Sequence, residues 1–64
     1  MESNKTVESN FENVMKHKES AGDICKKQFL NLEYCLRFNN NNKLKCENFI
    51  NTVFFCYKNR GIFI

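Results

Sequence analysis

Few side chains in this chain can do more than pack or carry charge: four cysteines, Cys25, Cys35, Cys46 and Cys56, and one imidazole, His17. Thiolates can hold a metal, attack an electrophile or pair as disulfides, and spacing separates these uses. A structural zinc site takes its ligands from close pairs, roughly two to four residues apart, so that one turn chelates the ion. Here nine residues separate the members of each pair and ten separate the pairs. That spacing builds no zinc knuckle, and His17 is remote from it. Soft thiolates also bind Cu(I), but an adjacent Cys-Cys pair would make that case and none is present. A Cys/His catalytic pair is weaker still, since His17 lies in a polar segment. No Ser/His/Asp or carboxylate constellation stands out from solvated surface charge either. The expectation is therefore no catalytic residue, no metal and no cofactor. The cysteines read as staples.

Staples need elements that hold their ends in register. From Ile24 to about Phe38 the residues Cys25, Phe29, Leu32 and Leu36 recur at helical spacing and fall within about 60° of one another on a helix. Asp23 is placed to cap this helix, after a break at Ala21-Gly22-Asp23. The run Asn39 to Asn42 suits caps and turns rather than a helix interior and reads as a hairpin loop. From Lys45 to about Asn59 the stripe returns as Cys46, Phe49, Ile50, Val53, Cys56 and Tyr57, with Gly61 as a helix stop. Residues ten apart on a helix are about 15 Å apart, whereas a disulfide needs Cα atoms within ~7 Å. Cys25 therefore cannot bond Cys35, nor Cys46 bond Cys56. Pairing Cys25 with Cys46 and Cys35 with Cys56 would need parallel helices and a loop running back along a whole helix. A short connection favours antiparallel neighbours. That leaves the nested pairs, Cys25–Cys56 and Cys35–Cys46. The fold expected is all-α: an antiparallel helical hairpin closed by two disulfides.

The chain divides into a polar segment, 1–22, the stapled domain, 23–60, and an apolar tail, 61–64. The first of these has Val7, Phe11, Val14 and Met15 at helical spacing, a narrow stripe on a helix that is marginal alone. It reads either as a short amphipathic helix packing on the core or as a segment that frays in isolation. Sixty-four residues bury too little apolar surface to dispense with staples comfortably. Each disulfide is worth about 3–4 kcal/mol in the chain-entropy model. The net charge of +3 is mild. Lys16, Lys18, Lys26 and Lys27 are interspersed with Glu8, Glu12, Glu19, Asp23 and Glu33, so no basic stripe points to nucleic acid. No apolar run approaches the ~20 residues of a membrane span. The first twenty residues lack the apolar core of a secretory signal and, with Glu2, Glu8 and Glu12, the acid-poor character of a matrix presequence.

The Cys25-x9-Cys35, x10, Cys46-x9-Cys56 pattern resembles the twin CX9C, or coiled-coil-helix-coiled-coil-helix, proteins of the mitochondrial intermembrane space. Cys35-Leu36 before the Asn-rich loop, Phe49 before Cys56, and the exit Cys56-Tyr57-Lys58 are similar to the small cytochrome c oxidase assembly factors of the Cox-nineteen and Cox-twenty-three types. The resemblance implies import by a Mia-forty-type oxidoreductase, which forms a transient mixed disulfide with one cysteine. That enzyme recognises apolar residues three or four positions from the docking cysteine. Phe29, Leu32, Phe49 and Val53 occupy such positions, and all four also read as hairpin core.

If the cysteines hold the hairpin shut, function lies on its outer faces. Leu30 and Tyr34 on the first helix and Phe55 on the second point away from the stripe and mark either a partner surface or the place where residues 7–15 fold back. Phe63 and Ile64 extend the apolar area. The function expected is non-enzymatic: assembly of cytochrome c oxidase through contacts with its assembly proteins. The alternative is a structural subunit of a large mitochondrial complex, either the oxidase or the small ribosomal subunit. A ribosomal role predicts a basic face, against which the mixed charge argues mildly. A secreted stapled hairpin of the toxin kind is disfavoured by the first twenty residues.

Overall fold

The apolar sequence is densest between Cys46 and Tyr57, and the molecule is arranged around the helix formed there. A computed structural model describes residues 2–63, with side chains from residue 5. Its helices are α1 (Glu2–Lys16), α2 (Lys18–Ala21), α3 (Lys26–Phe38) and α4 (Glu47–Asn59), with a 3-10 turn at Leu44–Cys46 leading into α4. Cys46, Ile50, Val53 and Tyr57 of this central element are buried. Helix α3 lies against one side and contributes Phe29 and Leu32; α1 lies against another and contributes Val7 and Val14. The contact of α1 with α4 is at least as extensive as that of α3, while α1 and α3 barely meet. The expected all-α hairpin with nested disulfides is present, and α4 belongs to two helix pairs rather than one.

Of the two readings of the N-terminal segment, the structure shows the helix packed on the core. Val7 and Val14 are a full two turns apart, on one face, and both are buried against the hairpin. Asn10 Nδ2 donates to Asn51 Oδ1 across the α1–α4 interface at 3.2 Å. Burying a valine side chain stabilises by roughly 1.5 kcal/mol or more. Tertiary packing of this kind is what makes a helix of marginal propensity persist. Helix α1 runs in the same sense as α4: Val7 lies near Asn41 and Leu44, at the start of α4, and His17 meets Phe63, beyond its end.

Each connection has an identifiable local cause. The turn after α2 closes through Ile24 N donating to Ala21 O at 2.9 Å. Gly22 sits inside it at φ 59°, ψ −118°, a conformation essentially reserved for glycine. Asp23 does not cap α3 with its side chain. The N-cap position falls on Cys25, left-handed at φ 60° and without a side-chain cap. Asp23 offers only its carbonyl, to Lys26 N at 3.2 Å. The tight glycine turn followed by a left-handed residue delays the helix to Lys26, so Asp23 falls outside the capping position.

The asparagine run is structured residue by residue. Asn40 and Asn41 take positive φ values, 53° and 63°, which asparagine tolerates better than most residues. Asn41 N donates to Leu36 O at 2.7 Å, closing the end of α3 with the long-range bond of a Schellman motif. Asn42 Oδ1 accepts from Leu44 N at 3.1 Å and Lys45 N at 3.3 Å, capping the returning helix. At the far end, Gly61 at φ 74° terminates α4. Gly61 N donates to Lys58 O and Ile62 N to Tyr57 O, the two bonds of a full Schellman motif.

Candidate functional site

The four cysteines form the expected pairs, with Cα atoms 6.2 Å apart in Cys25–Cys56 and 6.0 Å apart in Cys35–Cys46. Antiparallel packing of α3 on α4 brings them together, because equal intervals along two helices keep both pairs level. The pairs differ in surroundings. Cys46 is fully buried, whereas Cys25 and Cys56 are half-buried at the open end of the hairpin. Asn39 Nδ2 donates to Cys35 O at 2.8 Å and approaches Cys35 Sγ at 3.4 Å, tying the loop to the inner staple. No cysteine is free. Among the described residues no three His, Cys, Asp or Glu side chains gather in a group that could hold a metal. His17 does not join the cysteines. Its Nδ1 lies 2.8 Å from Asn13 O, and its ring stands edge-on to Phe63 at 5.0 Å.

Of the residues read as both hairpin core and import-recognition positions, Phe29, Leu32 and Val53 are buried. Phe49 is not: it is 41% exposed. It stands about 100° around the helix from Ile50. The centre of the buried face of α4 turns away from it because α1 packs on the opposite flank. A two-helix reading has no reason to expect that shift. The tail also differs from expectation. Phe63 folds onto the core, with ring centroids 4.9 Å from Phe54 and 6.1 Å from Tyr57, instead of extending an exposed surface. Ile64 lies outside the described residues.

The outward residues are where the sequence places them. Leu30 is 52% exposed, Tyr34 65% and Phe55 54%. They do not form one patch. Phe55 stands on α4 with its ring edge-on to Phe54 at 5.7 Å, while Leu30 and Tyr34 share the outer face of α3. The residue that completes that face is Phe38, 73% exposed, its ring centroid 5.0 Å from that of Tyr34. The spacing Leu30, Tyr34, Phe38, four residues at each step, was available in the sequence. It is masked because Phe38 also reads as the last residue of the core helix. A separate cleft of about 270 Å³ runs between α1 and α3, with Phe11, Met15 and Leu36 among its walls; it exists because both helices pack on α4 and hardly on each other.

Burial pushes the ionisation of Tyr57 upward from the ordinary phenol value of 10.0. Among the described residues no helix is long and apolar enough to cross a membrane. No protein-family model, curated protein or solved structure matches the chain. What the geometry offers is a covalently closed scaffold with all four cysteines paired and an exposed aromatic face.

Proposed function

We propose that this protein is a non-enzymatic member of the twin CX9C class, oxidised and retained in the mitochondrial intermembrane space, acting in cytochrome c oxidase assembly through protein contacts. One observation carries the proposal. Two cysteine pairs with identical nine-residue intervals are fully consumed in level staples between antiparallel helices. Such an arrangement makes a small folded body conditional on oxidation, as an oxidative-trapping import route requires. A Mia-forty-type oxidoreductase is the partner for that step, docking on the unfolded chain through Phe29, Leu32, Phe49 or Val53, all but Phe49 being buried on folding. Phe49 stays exposed after folding and remains available for contact. The exposed aromatic residues of α3 supply the means of engaging an assembly protein afterwards.

Fractionation with protease protection, combined with thiol alkylation of protein taken directly from cells, tests the reading. The expected outcome is a species protected until the outer membrane is opened, with four unreactive cysteines. A cytosolic protein with four reactive thiols would sink it. Co-sedimentation then separates roles: migration with oxidase intermediates supports the assembly function, and migration with ribosomal subunits replaces it with a structural one.

A further inference from the structure

Helix α3 is apolar on two opposite faces. Phe29, Leu32 and Leu36 face the core, and Leu30, Tyr34 and Phe38 stand almost diametrically opposite, spread over about 80° of the helix surface. Lys26, Glu33 and Arg37 line one edge of the outer stripe and Asn31 and Gln28 the other, while Lys27 lies on the stripe at its N-terminal end. A helix that buries only one face has no need of a second apolar stripe, and this one places three large side chains, each more than half exposed, in a row along the helix. Leu30, Glu33, Tyr34 and Arg37 enclose a shallow depression of about 170 Å³. Their spacing, i, i+3, i+4, i+7, is that of the four residues which form one hole on a helix surface for a knob from a facing helix.

We propose that the outer face of α3 receives one amphipathic helix of a partner protein, by knobs-into-holes packing, and that the flank of this helix facing Lys26 and Arg37 is acidic. The charge requirement comes from one edge of the stripe, where Lys26 and Arg37 stand with Glu33, and from Lys27 at its N-terminal end; the other edge, Asn31 and Gln28, is uncharged. A second copy of the chain, packed antiparallel about a two-fold axis, would set the basic edge of α3 against itself. An anionic lipid surface satisfies the basic residues, but it offers no discrete side chain to fill a four-residue hole and it meets Glu33 in the wall of that hole. An acidic helix satisfies both the shape and the charge. This inference rests on the reading of the protein as a contact-making factor and not on its compartment. Adducts found in another compartment would refute that localisation and leave the binding face standing.

The test is photo-crosslinking in the intact cell compartment, with p-benzoylphenylalanine replacing Tyr34 or Phe38 in the full chain and, for comparison, Phe55, followed by sequencing of the adduct peptide. Expected are adducts from positions 34 and 38 on a helical segment with an apolar stripe and an acidic flank, and weak or no adducts from position 55. Reversing Lys26→Glu, Lys27→Glu and Arg37→Glu together should cut the yield roughly tenfold or more, as should Leu30→Ser. All four positions are solvent-exposed, so the purified variants should melt with the parent protein, which separates lost binding from lost folding. A self-adduct, a lipid adduct, a neutral or basic segment, equal adducts from position 55, or no adduct at all would each overturn the proposal.

Discussion

The two flanks of α4 are held by different means. On one side α3 is tied by two disulfides and packs Phe29 and Leu32 against the central helix. On the other, α1 is held by Val7, Val14, half-buried Phe11 and one side-chain hydrogen bond from Asn10 to Asn51. The interfaces are of similar extent, but one is covalent and the other can open without breaking a bond. Their logic differs accordingly. The staples act mainly on the unfolded chain, by removing conformations from it, whereas the α1 contact acts on the folded one, by removing apolar surface from water. A domain this small needs both.

The largest effect expected is therefore loss of the staples. Loops of 31 and 11 residues correspond to about 4 and about 3 kcal/mol in the chain-entropy model, together comparable with the whole stability of a small domain. Full reduction should abolish the helical circular-dichroism signal, α1 included, because its docking platform disappears. Persistence of native helicity in the reduced protein would break the comparison at its root. Next comes the unstapled side. Val14→Asp places a carboxylate where no water reaches and should cost roughly 3–5 kcal/mol through lost burial and desolvation. Hydrogen exchange should show α1 amides losing protection while those of α3 and α4 keep most of theirs. Uniform loss across all three helices would mean that the stapled pair is not autonomous.

Two smaller effects sharpen the contrast at the connections. Gly22→Ala meets no steric obstacle, since an added Cβ would find nothing within 4 Å, so its cost isolates backbone conformation at φ 59°. A loss of about 1–2 kcal/mol in thermal or denaturant melts is expected. Asn42→Ala removes the side-chain acceptor for Leu44 and Lys45 N–H groups and should cost about 1 kcal/mol. The inner staple already holds this loop, so melting should stay cooperative and the disulfide should still form.

The stapled side was legible in the sequence for a simple reason. Cysteine spacing and the 3.6-residue stripe are both one-dimensional patterns, and geometry alone converts them into nested disulfides between antiparallel helices. The α1 side was less legible because Val7, Phe11 and Val14 are a stripe too narrow to distinguish a docked helix from a frayed one. Phe49 belongs to the same case: it stands at the edge of the α4 stripe, and which edge is covered depends on where α1 sits. Phe63 followed the same rule: its place against Phe54 and His17 is set by the Schellman turn at Gly61 and by α1. The outward face of α3 was visible as Leu30 and Tyr34, while Phe38 hid at a helix end. Asn39 to Asn42 announced a loop, but their separate roles needed the backbone dihedrals.

Tyr57 touches both halves of the comparison and supplies its finest test. It is buried on α4, near Phe29 and Lys18 on one side and the ring of Phe63 on the other. Burial disfavours the phenolate, so its folded-state pKa lies above the unfolded value of 10.0. The sign follows from proton linkage: the folded protein holds this proton more tightly than the unfolded one, so stability declines as pH rises past the unfolded value. The stabilising effect is complete below that value and is lost progressively as pH climbs through the folded one. Tyr57→Phe should therefore change stability little at neutral pH, yet flatten the decline above pH 10, as measured by denaturant melts at stepped pH. If Tyr57→Phe and the parent lose stability in parallel across that window, the tyrosine is not the group responsible. The alkaline limit would then lie elsewhere in the chain.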